Sequence, residues 1–156
     1  MVEKRHLIRL QQATAEYAGD ISVLHGLLFE KAWDADGVRR LLEHPASVAL
    51  VATEERPWSV VGFILAQLMA DEAEILSLGV GPTSQRRGVG TMLVQGLIDT
   101  ARRKDVKRVF LDVAASNEAA IGLYAKLGFA QMGRRKDYYS HAGGRREDAL
   151  LMVRNL

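Results

Sequence analysis

The chain has 156 residues, 48% of them hydrophobic and 26% charged, and no cysteine. That excludes disulfides, thiolate metal sites and a cysteine nucleophile; no apolar run reaches 18 residues, so no membrane-spanning helix is expected. The net charge of +2 is uneven: residues 1–85 hold 12 acidic against 7 basic side chains, and residues 86–156 hold 14 basic against 7 acidic. Such a balance suits an anionic ligand beside a cationic partner, or ordinary solvated faces.

The length fits one domain spanning 1–156. Residues 1–7 lack the apolar stretch and cleavage site of a signal peptide, and a cytoplasmic location is expected. His6–Leu10 reads as a first strand. Asp20–Phe29 has helical spacing, with Ile21, Leu24, Leu27 and Leu28 expected on one face. Asp34 is placed to cap a second helix running to Leu42, with Pro45 just beyond its end. Ser47–Thr53 and Val60–Met69 are β-rich, and Glu54–Trp58 reads as the turn between them. Glu72–Val80 is a third run of this kind. Gly88–Lys104 is an amphipathic helix and Lys107–Val113 a strand. Asn117–Leu127 is a helix with Gly128 as its C-cap. Phe129–Tyr139 and Asp148–Val153 complete the order βααβββαβαββ. Strand, helix and strand from Ile75 to Val113 predict a right-handed crossover between parallel neighbours. The fold class is α+β: a mixed six- or seven-stranded sheet flanked by about four helices.

Chemistry concentrates in Ile75–Thr91, a strand, a basic glycine-rich turn and the start of a helix. Backbone N–H groups at a helix N-terminus attract anions. Gly88 and Gly90 remove side chains, so a ligand can touch the main chain of Arg86, Arg87, Gly88, Val89, Gly90 and Thr91. Arg86 and Arg87 add charge for phosphate oxygens. A phosphorylated cofactor is the expected ligand. The nucleoside-triphosphate loop requires a Lys after its last Gly, and none is present. The dinucleotide fingerprint requires a third Gly where Leu93 stands, although Asp112 ends the next strand at the spacing of a ribose-binding acid. Nucleotide binding therefore stays open on these residues alone.

Gln85-Arg-Arg-Gly-Val-Gly90 resembles the pyrophosphate loop of the GNAT acyl-CoA-dependent N-acetyltransferases. The run from Asp112 through Asn117 and Tyr124 to Phe129 resembles the same family's strand and Asn-x-x-Ala-x-x-x-Tyr-x-x-x-Gly-Phe helix. Arg134–Tyr139 with Gly144–Met152 is similar to the C-terminal signature of the RimI type, which acetylates the N-terminal alanine of a small-subunit ribosomal protein. Ala32-Trp33-Asp34 resembles that type's Pro-Trp-Ser segment.

The resemblance implies acetyl-CoA as co-substrate, no metal, and a protein N-terminus, expected to be basic, as acceptor. It implies that pantetheine runs beside Leu78, Gly79 and Val80, where a backbone N–H polarises the thioester carbonyl. Gly79 and Gly81 fit a strand that bulges or splays there. An α-amine with a pKa of about 8 is roughly one-tenth neutral at pH 7, so it demands only a weak base. The RimI type has Glu where this chain has Asp112, one methylene shorter, which favours a bridging water; Glu74 is the second candidate. Tyr124 is the expected acid for the leaving thiolate. Asn117 is a natural helix N-cap and by resemblance also contacts pantetheine. Trp33, Tyr138 and Tyr139 are candidates for acceptor binding, the last two alternating so that one faces the core. His6, His25, His44 and His141 lack metal-ligand spacing and are expected at the surface or in local hydrogen bonds. A monomer or weak dimer is expected, with no membrane contact and no stable nucleic-acid binding. The alternatives are an enzyme of the same fold acting on a small-molecule amine or lysine, and a non-catalytic acyl-CoA or nucleotide sensor. A basic RNA-binding module lacks the aromatic–basic pattern it would need.

Overall fold

The structure, a computed structural model, describes residues 7–55 and 57–156. His6 of the expected first strand and Arg56 of the expected turn lie outside the described residues. The elements are β1 (Ile8–Gln12), α1 (Ala18–Leu28), α2 (Ala35–Glu43), β2 (Ser47–Glu54), β3 (Ser59–Met69), β4 (Glu72–Val80), α3 (Val89–Arg103), β5 (Arg108–Ala114), α4 (Glu118–Lys126), β6 (Ala130–Ser140) and β7 (Arg146–Asn155). Short 3-10 turns precede α1 at Ala15–Tyr17 and β7 at Ala142–Gly144. The order matches the one expected from sequence, and the upper strand count holds. One seven-stranded sheet runs β1-β2-β3-β4-β5-β7-β6. Its one parallel pair among the described residues is β4–β5, joined by the α3 crossover.

Two of the helices start at side-chain caps. Asp34 Oδ1 accepts the Gly37 N–H at 2.7 Å, capping α2, and Asn117 Oδ1 accepts the Ala120 N–H at 3.2 Å, capping α4. On α1 the buried arc is Ile21, Leu24 and His25, whereas Leu27, expected on that face, is 66% exposed. The reason is periodicity: position i+4 from Ile21 completes the arc, and position i+6 rotates away from it. His25 therefore takes the inward slot.

Two apolar cores lie on the two faces of the sheet. One joins Val89, Leu93, Leu97 and Ile98 of α3 to Ile64, Ile75, Val109 and Leu111 of the strands, with Tyr124 and Phe129 at its α4 end. The other joins Ile21 and Leu24 of α1 and Val38 of α2 to Val51, Phe63 and Leu65. The long hydrophobic run of β3 is explained by cover on both faces.

β4 changes its facing midway. Its register with β3 steps from Ala66↔Ile75 to Leu65↔Ser77, leaving Leu76 as the extra residue of a β-bulge. Before the bulge Ala73 and Ile75 meet the α3 core, and after it Leu78 and Val80 do. A one-residue slip exchanges the two faces of a strand, so Ser77 and Gly79 turn toward α1. Gly79 is thus not the bulge, which falls at Leu76, but it does lie on the stretch where β4 has splayed from β5. It is glycine because a Cβ there would lie 2.7 Å from the Phe63 ring and 2.9 Å from Leu28 Cδ1.

Phe63 is fully buried and has no room to retreat. Gly79→Ala should therefore destabilise the protein by about 1–3 kcal/mol, the usual range for overpacking. A urea titration followed by circular dichroism checks this through a lowered midpoint at unchanged slope.

Candidate active site

Parallel pairing between β4 and β5 covers only Glu72↔Arg108, Ala73↔Val109 and Glu74↔Phe110. Beyond Glu74 the strands separate, although β4 continues to Val80 and β5 to Ala114. Neither strand ends there, so the separation opens a wedge inside the sheet. A cavity of about 440 Å³ fills it. The β4 wall includes Ser77 and Leu78, the β5 wall Leu111 and Asp112, and the α4 wall Asn117 and Tyr124. The α1–α2 connection closes it with Phe29, Glu30 and Trp33, and the β6–β7 hairpin with Tyr139 and His141.

The wedge thus brings together six of the residues singled out from sequence: Trp33, Leu78, Asp112, Asn117, Tyr124 and Tyr139. Glu74, Gly79, Val80, the turn Arg86–Thr91 and Tyr138 do not line it. Gly79, Val80 and the turn continue along the chain from the Leu78 end. Gln85 Nε2 donates to the Val80 carbonyl at 3.1 Å and the Ser84 N–H to the Gly81 carbonyl at 2.9 Å, which ties the turn to the strand. Arg86 (φ 64°) and Gly88 (φ 77°) both adopt the left-handed region. A Cβ at Gly88 would meet nothing within 4 Å, so the space over the α3 N-terminus is open. The first helical N–H groups there have no partner within the helix. Gly90 serves packing instead, since a Cβ would lie 3.2 Å from Leu123 Cδ2 of α4. Arg87 is drawn aside to Glu54, at 3.2 Å.

Asp112 is held by Arg135, whose Nε donates to Oδ1 at 3.0 Å. Its carbonyl accepts the Tyr139 hydroxyl at 3.2 Å. Burial, then the Asp112 charge, pushes Tyr139 up to about 12, so it stays a phenol. Glu74 is raised by burial and then by Asp112, against a smaller lowering from Arg135. Tyr124 is 4% exposed and packs edge-on against Phe129 at 5.3 Å; burial raises its pKa and keeps its proton on. Tyr138 and Tyr139 do not divide between core and cavity as strand alternation suggested. β6 bulges between Arg135 and Tyr139, with Asp137 at φ 52°. That leaves Tyr138 52% exposed, with Arg135 5.6 Å from its ring centroid.

Sequence reading missed two histidines. His25 makes the local hydrogen bond that was one of the two expectations, accepting the Trp33 N–H at 3.1 Å, but it does so 3% exposed on the cavity wall, a placement for which its i+4 spacing from Ile21 was the available signal. His141 sits between two carboxylates, with Nδ1 2.9 Å from Glu30 Oε2 and Nε2 2.8 Å from Glu147 Oε2. Glu30 Oε1 also accepts the Ala142 N–H at 2.9 Å, and Lys31 donates to Ser140 Oγ at 2.9 Å. These contacts clasp the α1–α2 connection to the β6–β7 hairpin beside the cavity. Glu30 lies 111 residues from His141, so no local pattern announces the pair.

Among the described residues, no group of three or more His, Cys, Asp or Glu could hold a metal ion, and no helix is long and apolar enough to cross a membrane.

Residues 18–129 match the model of the acetyltransferase (GNAT) family. The chain is similar to the ribosomal protein bS18-alanine N-acetyltransferase of Salmonella typhimurium, 43% identical over 94 residues. That match covers 60% of this chain and 63% of the relative, so the chain spans less than two thirds of it. A Bacillus subtilis relative that bears the same name provisionally is 33% identical over 125 residues, covering 80% of each chain. The crystal structure of the ribosomal-protein-S18-alanine N-acetyltransferase from Escherichia coli superimposes with a TM-score of 0.87 at 27% identity. It covers 96% of this chain and 94% of that one.

The clasp depends on pH with opposite signs at its two partners. Hydrogen bonds from Glu30 and then Glu147 raise the His141 pKa above 6.5, so its contribution is full below 6.5 and is lost as pH rises through the raised value. Hydrogen bonds from Ser116 and then His141 lower Glu147 to about 2, so its contribution is full above 4.5 and is lost as pH falls toward 2. Amide exchange at Ala142, corrected for its intrinsic rate, should be most protected between these limits and less protected above them. In His141→Gln the alkaline loss of protection should disappear.

Proposed function

This chain belongs to the acetyltransferase (GNAT) family, and from that premise we propose that it transfers an acetyl group from acetyl-CoA to the N-terminal amine of a protein. The favoured acceptor is the N-terminal alanine of a small-subunit ribosomal protein, which would place the reaction in the cytoplasm. The observation that carries this reading is the wedge itself. One cavity presents an unpaired length of β4, a carboxylate and a buried phenol together. The bS18-directed relatives supply the acceptor class.

The residues fit the co-substrate. Past Glu74 the edge of β4 facing β5 has no strand partner, so a ligand with amide groups can add there as a strand would. The open N-terminus of α3 suits a pyrophosphate at the end of that track. Asn117 accepts the Ala120 N–H through Oδ1, which leaves its amide NH₂ available to the same track.

In the reaction the neutral amine attacks the thioester carbon, a C–N bond forms, and the C–S bond breaks. Asp112, fixed by Arg135, takes the amine's proton through a water, in keeping with its short side chain. The thiolate takes a proton from Tyr124. Burial makes this phenol a weaker acid, but it raises the thiol's pKa in the same pocket, so the two remain matched. Glu74 stands behind Asp112 as the second candidate base.

Incubation with acetyl-CoA and an amine panel, read by free thiol and mass spectrometry, tests the reading. A single acetyl group on the α-amine of an alanine-first basic peptide is expected. Acetylation of a small amine or a lysine in its place would reassign the acceptor, and thiol release from none would make the protein a binding module. Tyr124→Phe should lower kcat about 10²-fold or more, with the acetyl-CoA KM within about twofold. Asp112→Asn should cost more than Glu74→Gln, and the reverse order would move the base to Glu74.

A further inference from the structure

His25 lies on α1 and lines the same cavity as Asn117 and Tyr124. Its Nδ1 accepts the Trp33 N–H at 3.1 Å. A main-chain N–H only donates, so Nδ1 carries a lone pair, and a neutral ring must carry its proton on Nε2. Burial lowers the pKa of His25, which favours that neutral form. The ring orientation is fixed as well. Trp33 stacks on it at 4.5 Å and 16°, and Phe29 lies 4.4 Å away on a 30° tilt.

Nε2 has no hydrogen-bond partner among the described residues, although the ring is 3% exposed and lines the cavity. Among the described residues the buried side-chain atom left without a partner is Arg108 Nε, so Nε2 of His25 is not sealed in the core; it opens on the cavity and can donate into it. We propose that His25 is an acceptor-recognition residue, whose Nε2–H donates a hydrogen bond to a main-chain carbonyl oxygen of the incoming chain. The donor is neutral and carries one N–H. It has nothing to offer an ammonium group, and it matches the first acceptor atom a peptide presents beyond its amine, the carbonyl of residue one. His25 thereby distinguishes a peptide terminus from a simple alkylamine, which has an amine and no carbonyl. The proposal rests on the N-terminal reading above and adds a residue to it.

Two variants separate recognition from support of the wall. In His25→Asn an amide oxygen still takes the Trp33 N–H, but no atom reaches the Nε2 position. In His25→Phe both contacts are lost. The Asn variant should raise the KM for an alanine-first peptide about tenfold, the effect of one hydrogen bond, with the KM for acetyl-CoA unchanged. Wild type should prefer the peptide to an analogue whose first carbonyl is reduced to methylene, and the Asn variant should not. An unchanged peptide KM in the Asn variant overturns the proposal, as does an equal rise in both KM values. In nitrogen-15 spectra of wild type the His25 ring should be the neutral Nε2–H tautomer at pH 7, and its Nε2 proton should shift on adding the peptide. The opposite tautomer overturns the proposal whatever the variants do. If wild type acetylates no peptide, the N-terminal reading fails and this one with it; if wild type acts and the Asn variant matches it, His25 alone is overturned.

Discussion

The structure depends on a pairing that stops early. β4 and β5 share three residue pairs and then part, inside a sheet whose other neighbours stay paired apart from local bulges. Unpaired main-chain groups within a sheet are costly when nothing satisfies them, so a fold that keeps such a gap needs a ligand or water to fill it. The gap gives this fold a cavity within its own sheet. It also gives β4 an open edge that ends where α3 begins.

The surrounding elements hold the wedge open. Below it, Arg108 of β5 pairs with Glu72 of β4 at 3.3 Å where the strands still touch. On one face α3 anchors β4 and β5 to a common core through Ile75, Val109 and Leu111. The bulge at Leu76 then turns Ser77 and Gly79 toward α1, and Gly79 admits the Phe63 ring against the strand. Across the opening, Glu30, His141 and Glu147 join two connections that share no sequence neighbourhood. Rigid strands thus carry Asp112 and Ser77, and packed helices carry His25 and Tyr124. The fold fixes directions before any ligand arrives, which favours binding by reducing what must be ordered.

Much of this was legible in the sequence, because local signals carried it. Alternation and helical spacing placed the strands and helices, with Asp34 and Asn117 marking two helix starts by their capping chemistry. The glycine turn and the Asn117–Tyr124 spacing pointed to the family. Non-local effects were not legible. The bulge at Leu76 depends on how β4 meets β3, and the role of Gly79 depends on a ring 16 residues earlier. Leu27 was placed inward because an apolar residue on a helix invites it, whereas the arc belonged to His25. Tyr138 missed the core because β6 loops out at Asp137, where the Asp148 carboxylate accepts the Asp137 N–H at 2.9 Å. His141 acquires its meaning only from Glu30 and Glu147.

The central claim is that the unpaired edge of β4 and the α3 N-terminus form one track for the co-substrate. Backbone amide shifts on titration with CoA test it most directly. The account predicts large changes at 76–80 and at 86–91, with β1 and β2 unaffected. Saturable binding that leaves both stretches unperturbed would contradict it.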